Sequence, residues 1–566
     1  MQASLVIQNA KVVTVDSSFS IREAIAVDGD TIVAVGSNSD VEALIGPETR
    51  VLDLEGRTIL PGINDSHGHP AFFGGTRPPL AVDLYPPRIH TVAAAVAEVE
   101  TWVKDLPPGT WVRGTGWDSA NLTNLTRWDL DAVAPAHPLA LGDFSGHNLW
   151  VNTKALELAG VTKDTPDPEG GIIEREPATG EPTGIFRELS AIGLIMRVVP
   201  LLTREEKRQA VLSAMATLNS NGITSCTESA LGPGGNTFSG GLLGQEITEV
   251  YKELCREGAL TTRVTVLALF GEYGAISLAD FERGMLEYDW PTDLDTRWLR
   301  FPGVKIFADG IPITKTSALW EEYEDGGLGG FAIPGAGEPE KRDALIAMIK
   351  LAAGKGYQVG VHATGDRAVS VTIDGYEQAM AESPAARGTR PYVIHAELIA
   401  PADFERAARL DVGFNMQPAI MPMIADTLPA QLGRERTLRD WPFATTIKSG
   451  VRLTASSDLP VTYPNWREGV QAMVLREAAG SGKVSGPDER VSIEDALRAY
   501  TINGAWQDHM EAVKGSIEVG KLADFCVLDA DILSVDPHEI KGVGVTMTIV
   551  GGKTVYDAAS EGFAPS

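Results

Sequence analysis

The chain has 566 residues, of which 43% are hydrophobic and 22% charged, a composition typical of globular proteins with a sizeable core. Its 76 acidic and 48 basic residues give a formal net charge of −28, which repels nucleic-acid phosphates and anionic membrane surfaces and argues against either as a partner. Three cysteines are too few for a disulfide framework, and neither a signal peptide nor a membrane-spanning apolar run is evident. We therefore expect a soluble cytoplasmic protein.

Both ends of the chain have the pattern of short strands. Residues 1–58 alternate apolar and polar residues around an Asp28–Gly29 turn, and residues 510–566 do the same around Gly551–Gly552. The two ends together predict one small β-sandwich domain.

The middle of the chain, residues 59–509, alternates apolar runs with helical patterns such as 341–353 and 493–505. The candidate strands lie in eight runs: T-I-L-P-G-I-N-D, G-I-T-S-C-T-E, R-V-T-V-L-A-L-F, G-V-K-I-F-A-D, Q-V-G-V-H-A-T, Y-V-I-H-A-E, V-G-F-N-M-Q and V-R-L-T-A-S-S-D. Eight strand–helix units predict a (β/α)8 TIM-like barrel, whose active site lies at the C-terminal ends of the strands. Residues 75–190 are too many for one βα connection and predict a subdomain inserted after strand 1, over the barrel mouth.

Five residues of metal-binding types, four histidines and one aspartate, end predicted strands. His67 and His69 in I-N-D-S-H-G-H-P point the same way from an extended segment, so both imidazoles can reach one metal ion. His362, His395 and Asp458 end three further strands. Each has a structural alternative, because such residues also occupy exposed turns or cap carbonyls and helices. All five at one end of one barrel favour a metal centre.

Lys305 lies on the fourth predicted strand. A protonated lysine cannot ligate a metal, whereas a neutral one can add carbon dioxide and become a carbamate whose oxygens bridge two cations. The alternative is a barrel lysine paired with an acidic residue.

These residues and their surroundings resemble the metal-dependent amidohydrolase superfamily. Within it, amidohydrolase family 3, which contains N-substituted formamide deformylases, is similar in the segments V-K-I-F-A-D-G-I-P, H-A-T-G-D-R-A-V, Y-V-I-H-A-E-L, S-S-D-L-P-V, G-T-G-W-D and S-G-H-N-L-W-V-N-T-K-A-L. The C-terminal G-S-I-E-V-G-K-L-A-D-F-C-V-L-D resembles the superfamily's returning β domain. The resemblance covers nearly the whole chain.

The resemblance implies a ligand set for one or two divalent ions. Imidazole and carboxylate ligands suit zinc, manganese, iron or cobalt, and zinc is the metal that we expect. His67, His69 and Asp458 would hold the more buried ion. A carboxylated Lys305 would bridge to a second ion held by His362 and His395. Family members often have Glu before the sixth-strand His, where this chain has Ile394, so we expect a hydrogen bond to His395 to be missing.

The implied activity is hydrolysis of a small N-substituted amide or formamide. Asp458 and His395 are the predicted catalytic residues, with Asp458 accepting the proton of water and passing it to the leaving amine. Two alternatives stay open: hydrolysis of another carbon–nitrogen bond (cyclic amide, carbamate or amidine), and a non-catalytic binding protein on the same barrel. The superfamily resemblance also implies a possible homodimer.

Four residues are predicted substrate contacts: His147, Trp117, Trp320 and Tyr323. His147 has the alternative of holding the inserted segment's own loop, and tryptophans are more often core. Asp366 and Arg367 more plausibly fix the start of a helix than bind substrate, and Cys226 is interpreted as a packing residue.

Overall fold

We analysed a computed structural model of the chain. It describes residues 2–85, 88–118, 122–143, 146, 148–168, 171–232, 242–271 and 277–560.

The central sheet confirms the predicted barrel. Its eight parallel strands follow one another in chain order around the sheet. They are Ile63–Gly68, Ile223–Leu231, Arg263–Ala268, Leu299–Phe307, Gln358–Ala363, Tyr392–His395, Gly413–Met416 and Leu453–Ala455, called barrel strands 1 to 8 below. These strands are buried almost throughout, which is why they appear in the sequence as apolar runs.

Barrel strands 1 and 8 meet beyond the short strand 8. The N–H of Asp458 donates to the carbonyl of His67 at 3.0 Å, and the N–H of His69 donates to Leu459 at 2.7 Å. The buried carboxylate of Asp65 accepts the N–H of Ser457 at 2.8 Å. Backbone and side-chain hydrogen bonds thus join the two strands where the predicted ligands His67, His69 and Asp458 lie.

Helices follow the barrel strands as the sequence predicts. The longer ones are Arg204–Ser220, Ile247–Arg256, Leu278–Glu287, Glu338–Gly354, Asp366–Glu382, Pro401–Leu410, Phe443–Lys448, Trp466–Leu475, Ile493–Ala499 and Ile502–Gln507. Three short helices, Ile420–Ile424, Pro429–Leu432 and Arg434–Thr437, lie in the loop after strand 7. Single-turn 3₁₀ helices lie at Pro312–Thr314, Pro384–Ala386, Pro487–Glu489 and Pro537–Gly542.

Strands from both chain ends build the small β-sandwich, as predicted. One sheet has the order Thr31–Gly36, Ala24–Asp28, Leu5–Gln8, Arg50–Asp53, with the helix Asn38–Glu42 beside it. The other has the order Lys553–Asp557, Val545–Val550, Phe525–Leu528, Thr58–Pro61, Lys11–Val13, Ile21–Arg22. Residues of both sheets, among them Ile7, Ile25, Ile59 and Phe525, share one hydrophobic core.

The chain divides into two compact units. One comprises Met1–His69, Met215–Gly235 and Lys252–Ser566, and therefore holds the barrel and the sandwich; the other comprises Pro70–Ala214 and Asn236–Tyr251. The second unit contains the insertion after strand 1 and is longer than the predicted 75–190. The predicted domain boundaries and the position of the insertion over the barrel mouth stay predictions.

The second unit is built around its own six-stranded sheet. The sheet order is Ile172–Arg175, Pro182–Arg187, Asn148–Val151, Leu139–Asp143, Val112–Trp117, Val82–Asp83. Helices Pro70–Gly75, Val92–Val103, Arg127–Asp131, Thr153–Ala159 and Leu189–Met196 accompany it. Among the described helices of the whole chain, none is long and apolar enough to cross a membrane.

Candidate metal centre

The six predicted ligands lie on or just beyond barrel strands. His67 and His69 end strand 1, Lys305 lies on strand 4, and Asp458 follows strand 8. His362 lies near the end of strand 5, and His395 ends strand 6. All six side chains are buried, with exposures from 1% for Lys305 to 7% for His395.

His67, His69 and Asp458 form a compact set of ligand atoms. The Nε2 atoms of His67 and His69 lie 3.3 and 3.4 Å from the same Oδ1 of Asp458. Within the described part of the chain, these three residues are the one group whose ligand atoms all lie within 4.8 Å of one another. Two imidazoles and a carboxylate are a donor set that zinc prefers, with a coordination position left over.

Ser229, at the end of barrel strand 2, contacts both histidines of strand 1. Its hydroxyl lies 2.8 Å from Nδ1 of His67, and its carbonyl lies 3.0 Å from Nδ1 of His69. A carbonyl only accepts, so Nδ1 of His69 carries a proton and its Nε2 offers a lone pair in the neutral ring. This lone pair faces the carboxylate of Asp458, and two acceptor atoms at that distance favour a cation between them.

The electrostatics of the site favour neutral imidazoles. Burial and the neighbouring Lys305 lower the pKa of His67 to about 3. Burial alone would raise the pKa of Asp458, but the adjacent rings of His67 and His69 outweigh it and hold this pKa well below its usual range. Neutral imidazole and ionised carboxylate are the forms that bind metals.

His362 and His395 form the second half of the site. Their ring centroids lie 4.4 Å apart, and the ring of His395 lies 5.6 Å from that of His67. Burial and the adjacent His362 lower the pKa of His395 well below its ordinary value. Asp309, which follows strand 4, brings Oδ1 to 3.5 Å from Nδ1 of His362. The structure therefore brings the two predicted metal positions side by side.

His395 does have a hydrogen-bond partner, although we expected none because Ile394 precedes it. The partner follows the neighbouring strand 7. Nδ1 of His395 lies 2.6 Å from Oε1 of Gln417, just beyond strand 7. Ile394 itself is fully buried in a small cluster with Leu267 and Tyr392. The sequence analysis missed Gln417, because nothing in V-G-F-N-M-Q indicates a contact with His395 at the end of strand 6.

Lys305 is buried among the predicted ligands, beside the ring of Phe307. Its Nζ lies 4.8 Å from the ring centroid of Phe307, and the described residues give it no ion pair. Burial lowers the pKa of Lys305 to about 7. The charge of Asp458 opposes this lowering, so the alternative of a lysine paired with an acid stays open. The neutral fraction present at pH 7 is the form that adds carbon dioxide.

Backbone conformation is unusual at the ends of strands 6 and 8. His395, Ala396 and Asp458 have φ of 75°, 47° and 56°, in the left-handed region that non-glycine residues rarely adopt. Such conformations persist where the surrounding structure enforces them and are frequent at functional sites. At Gly68, between the two histidines of strand 1, a Cβ would lie 2.2 Å from Cδ2 of Leu459, so a side chain there would require Leu459 to move.

The predicted substrate contacts have different environments. Trp117 is 2% exposed in the second unit's core and donates its indole N–H to Leu141 at 2.8 Å. Tyr323 is buried and donates its hydroxyl to the carbonyl of Ser317 at 3.1 Å. Trp320 is 56% exposed, and its backbone N–H donates to Asp366. Burial indicates that Trp117 and Tyr323 are packing residues, whereas Trp320 has an exposed side chain that a ligand could contact.

Three further predictions concern residues near the strand ends. His147 lies outside the described residues. Asp366 begins the helix Asp366–Glu382 and accepts the N–H of Arg367 at 2.9 Å, whereas the Arg367 guanidinium pairs with Glu338 at 3.0 Å. Burial and neighbouring acids raise the pKa of the Cys226 thiol well above its usual range, which agrees with packing.

Comparison with known proteins places the chain in a family. The model of the amidohydrolase family matches residues 50–556. The N-substituted formamide deformylase of Arthrobacter pascens is 28% identical over 98% of both chains. Protein LONG AFTER FAR-RED 3 of Arabidopsis thaliana is also 28% identical, over 98% of this chain and 92% of its own.

A solved structure extends the comparison to three dimensions. The crystal structure of an uncharacterized metal-dependent hydrolase from Pyrococcus furiosus is 25% identical, with a TM-score of 0.72, and the match covers 94% of this chain and all of that one. The family match spans the barrel, with every predicted ligand, and about half of the sandwich strands. The chain therefore belongs to the amidohydrolase family, metal-dependent enzymes that hydrolyse carbon–nitrogen bonds.

Proposed function

We propose that this enzyme hydrolyses the amide bond of a small N-substituted amide, with N-substituted formamides as the first substrate class, and releases an amine. The proposal rests on one observation: the ligand atoms of His67, His69 and Asp458 lie within 4.8 Å of one another. Ser229 contacts the Nδ1 atoms of both imidazoles. The formamide deformylase, similar over nearly its whole length, supports this substrate class.

The donor set suits zinc, in one or two ions per chain. His67, His69 and Asp458 would hold the first ion; His362, His395 and a carboxylated Lys305 would hold the second, with the carbamate bridging the two. When bound, a divalent cation lowers the pKa of water toward about 7 and polarises the substrate carbonyl.

Asp458 is the residue that we propose moves the proton. Its carboxylate is ionised in the buried site, because the adjacent His67 and His69 hold its pKa well below its usual range. It can therefore accept a proton from the attacking water and pass it to the nitrogen of the leaving amine. His395, the other proposed catalytic residue, would act as a ligand of the second ion.

The test replaces Asp458 with asparagine. Asp458→Asn keeps an oxygen ligand, so we expect metal content near that of the wild type and a loss of most turnover, roughly 100- to 10,000-fold for removal of a general base. Amine release from N-alkyl and N-aryl formamides is measured at saturating zinc. An active Asp458→Asn variant would remove Asp458 from the proton path, and a wild-type enzyme that cleaves cyclic amides, carbamates or amidines but no formamide would contradict the substrate class.

The burial of Lys305 supports carboxylation. A small neutral electrophile can add to its amine, whose pKa is about 7, without separating an ion pair. Mass spectrometry under non-denaturing conditions should show a mass increase of one carbon dioxide that Lys305→Arg lacks. A homodimer stays a prediction.

A further inference from the structure

Buried amide side chains connect His395 to barrel strand 1. Asn415 lies on strand 7 and Gln417 just after it, and both are fully buried. Ser456, which contacts Asn415, is fully buried as well. Gln507, at the end of the helix Ile502–Gln507, is 1% exposed. Amides in such an environment must satisfy their hydrogen bonds with one another.

A backbone carbonyl fixes the direction of these hydrogen bonds. The carbonyl of Ser66 can only accept, and it lies 3.0 Å from Nδ2 of Asn415 and 2.9 Å from Nε2 of Gln507. Both amides must therefore present their nitrogens to Ser66. The Oδ1 of Asn415 then points the other way, as an acceptor.

The same logic passes through Gln417 to His395. The Oδ1 of Asn415 lies 2.9 Å from Nε2 of Gln417, which must donate, and 2.9 Å from the hydroxyl of Ser456, which donates as well. The Oε1 of Gln417 is therefore an acceptor, and it lies 2.6 Å from Nδ1 of His395. Turning either amide over would set oxygen against oxygen, or N–H against N–H, in a buried site.

We propose that Gln417 is a positioning residue that holds His395 in the tautomer with the proton on Nδ1, leaving Nε2 as the metal-binding atom. Ser66, the anchor of the chain of amides, lies directly before His67, so one network fixes ligands of both halves of the site. The inference rests on the proposed function only in naming a metal as the partner of Nε2; the tautomer itself is a property of the metal-free chain.

The direct test is the tautomer of His395 in the metal-free protein. Solid-state ¹⁵N NMR on protein labelled at histidine distinguishes the protonated from the bare ring nitrogen, and the difference from His395→Gln assigns the signals. We expect the wild type to show a proton on Nδ1. Gln417→Glu keeps an acceptor and should keep this tautomer, whereas Gln417→Met removes the acceptor and should populate the other one.

Metal affinity gives a second readout that does not need substrate. We expect Gln417→Met to weaken zinc binding roughly 10- to 100-fold, which is typical when a metal ligand loses its hydrogen-bond partner. Gln417→Glu should retain most of the zinc affinity. Met416→Leu is the matched control, because Met416 is a buried neighbour on the same strand that contacts Ser456 only through its backbone carbonyl, which the substitution keeps. Thermal unfolding establishes that each variant is folded.

Each outcome decides the proposal. A wild-type His395 protonated on Nε2 overturns it, as does a Gln417→Met variant with the tautomer and zinc affinity of Met416→Leu. If Gln417→Met does not fold, the wild type and Gln417→Glu still decide through the tautomer. A zinc-loaded wild type with the expected tautomer that cleaves no amide would overturn the proposed substrate class and leave this inference standing.

Discussion

Ser229→Ala should weaken zinc binding at the first metal position while leaving the fold intact. The substitution removes the hydroxyl that lies 2.8 Å from Nδ1 of His67 and keeps the backbone carbonyl that lies 3.0 Å from Nδ1 of His69. It therefore perturbs one of the two imidazoles and spares the other.

The penalty falls on the metal-bound form. Without metal, His67 can move its proton to Nε2 and donate to Asp458, which lies 3.3 Å away. With metal on Nε2, the proton must stay on Nδ1, which in the variant is buried with no acceptor. An unsatisfied buried donor costs about 1–3 kcal/mol, and at about 1.4 kcal/mol per factor of ten this predicts a loss of roughly 5- to 150-fold in zinc affinity.

The assay is competition for zinc against a chromophoric chelator, with thermal unfolding as the check on folding. Thr227→Val is the matched control: Thr227 lies on the same strand and is equally buried, and its hydroxyl has no hydrogen-bond partner among the described residues. Equal zinc affinity of Ser229→Ala, Thr227→Val and the wild type would refute the assignment of Ser229 and His67.

Further predictions concern pH and packing. Reloading of chelator-stripped protein with zinc and bicarbonate should increase as pH rises from 6 to 8, because the Lys305 pKa of about 7 makes the amine neutral and reactive over this range; a Lys305→Arg variant with the same pH dependence would contradict this. Stability of the metal-free protein should fall as pH drops from about 6.5 toward 3, because His67, with a folded-state pKa of about 3, binds its proton mainly when unfolded. His67→Gln should reduce this pH dependence in urea titrations, and an unchanged pH dependence in that variant would contradict the role of His67. Gly303→Ala should lower the melting temperature, because its Cβ would lie 1.8 Å from the carbonyl of Gln358 on the adjacent strand, whereas Gly193→Ala, whose Cβ meets nothing within 4 Å inside a helix, should not.

The sequence predicts the barrel because each barrel strand is an apolar run, and the candidate ligands are visible as polar residues in or just after these runs. Lys305, His362 and His395 stand out for this reason, and no knowledge of neighbouring strands is needed to find them. The helical pattern at 493–505 is a partial exception. The structure divides it between Ile493–Ala499 and Ile502–Gln507, with the carbonyl of Tyr500 accepting the N–H of Asn64 from strand 1 at 2.8 Å.

The residues that orient the ligands could not be predicted, because their roles depend on register between strands. Strand 2 shifts register against strand 3 between Glu228 and Leu231, and Ala230 has φ of 64°. Such an irregularity changes the direction of the strand end. It lies at Ser229, whose hydroxyl contacts His67 and whose carbonyl contacts His69. Gln417 likewise becomes informative only once its amide is placed beside His395.

The most direct test of the account is the metal content of protein expressed without added metal and never exposed to chelator, measured by plasma mass spectrometry. The account predicts two divalent ions per chain in the wild type, and a loss of the first ion when His67 and His69 are both replaced by alanine. One ion per chain in the wild type would remove Lys305 as a bridge. No metal, with none taken up after zinc and bicarbonate are added, would contradict the proposed metal centre.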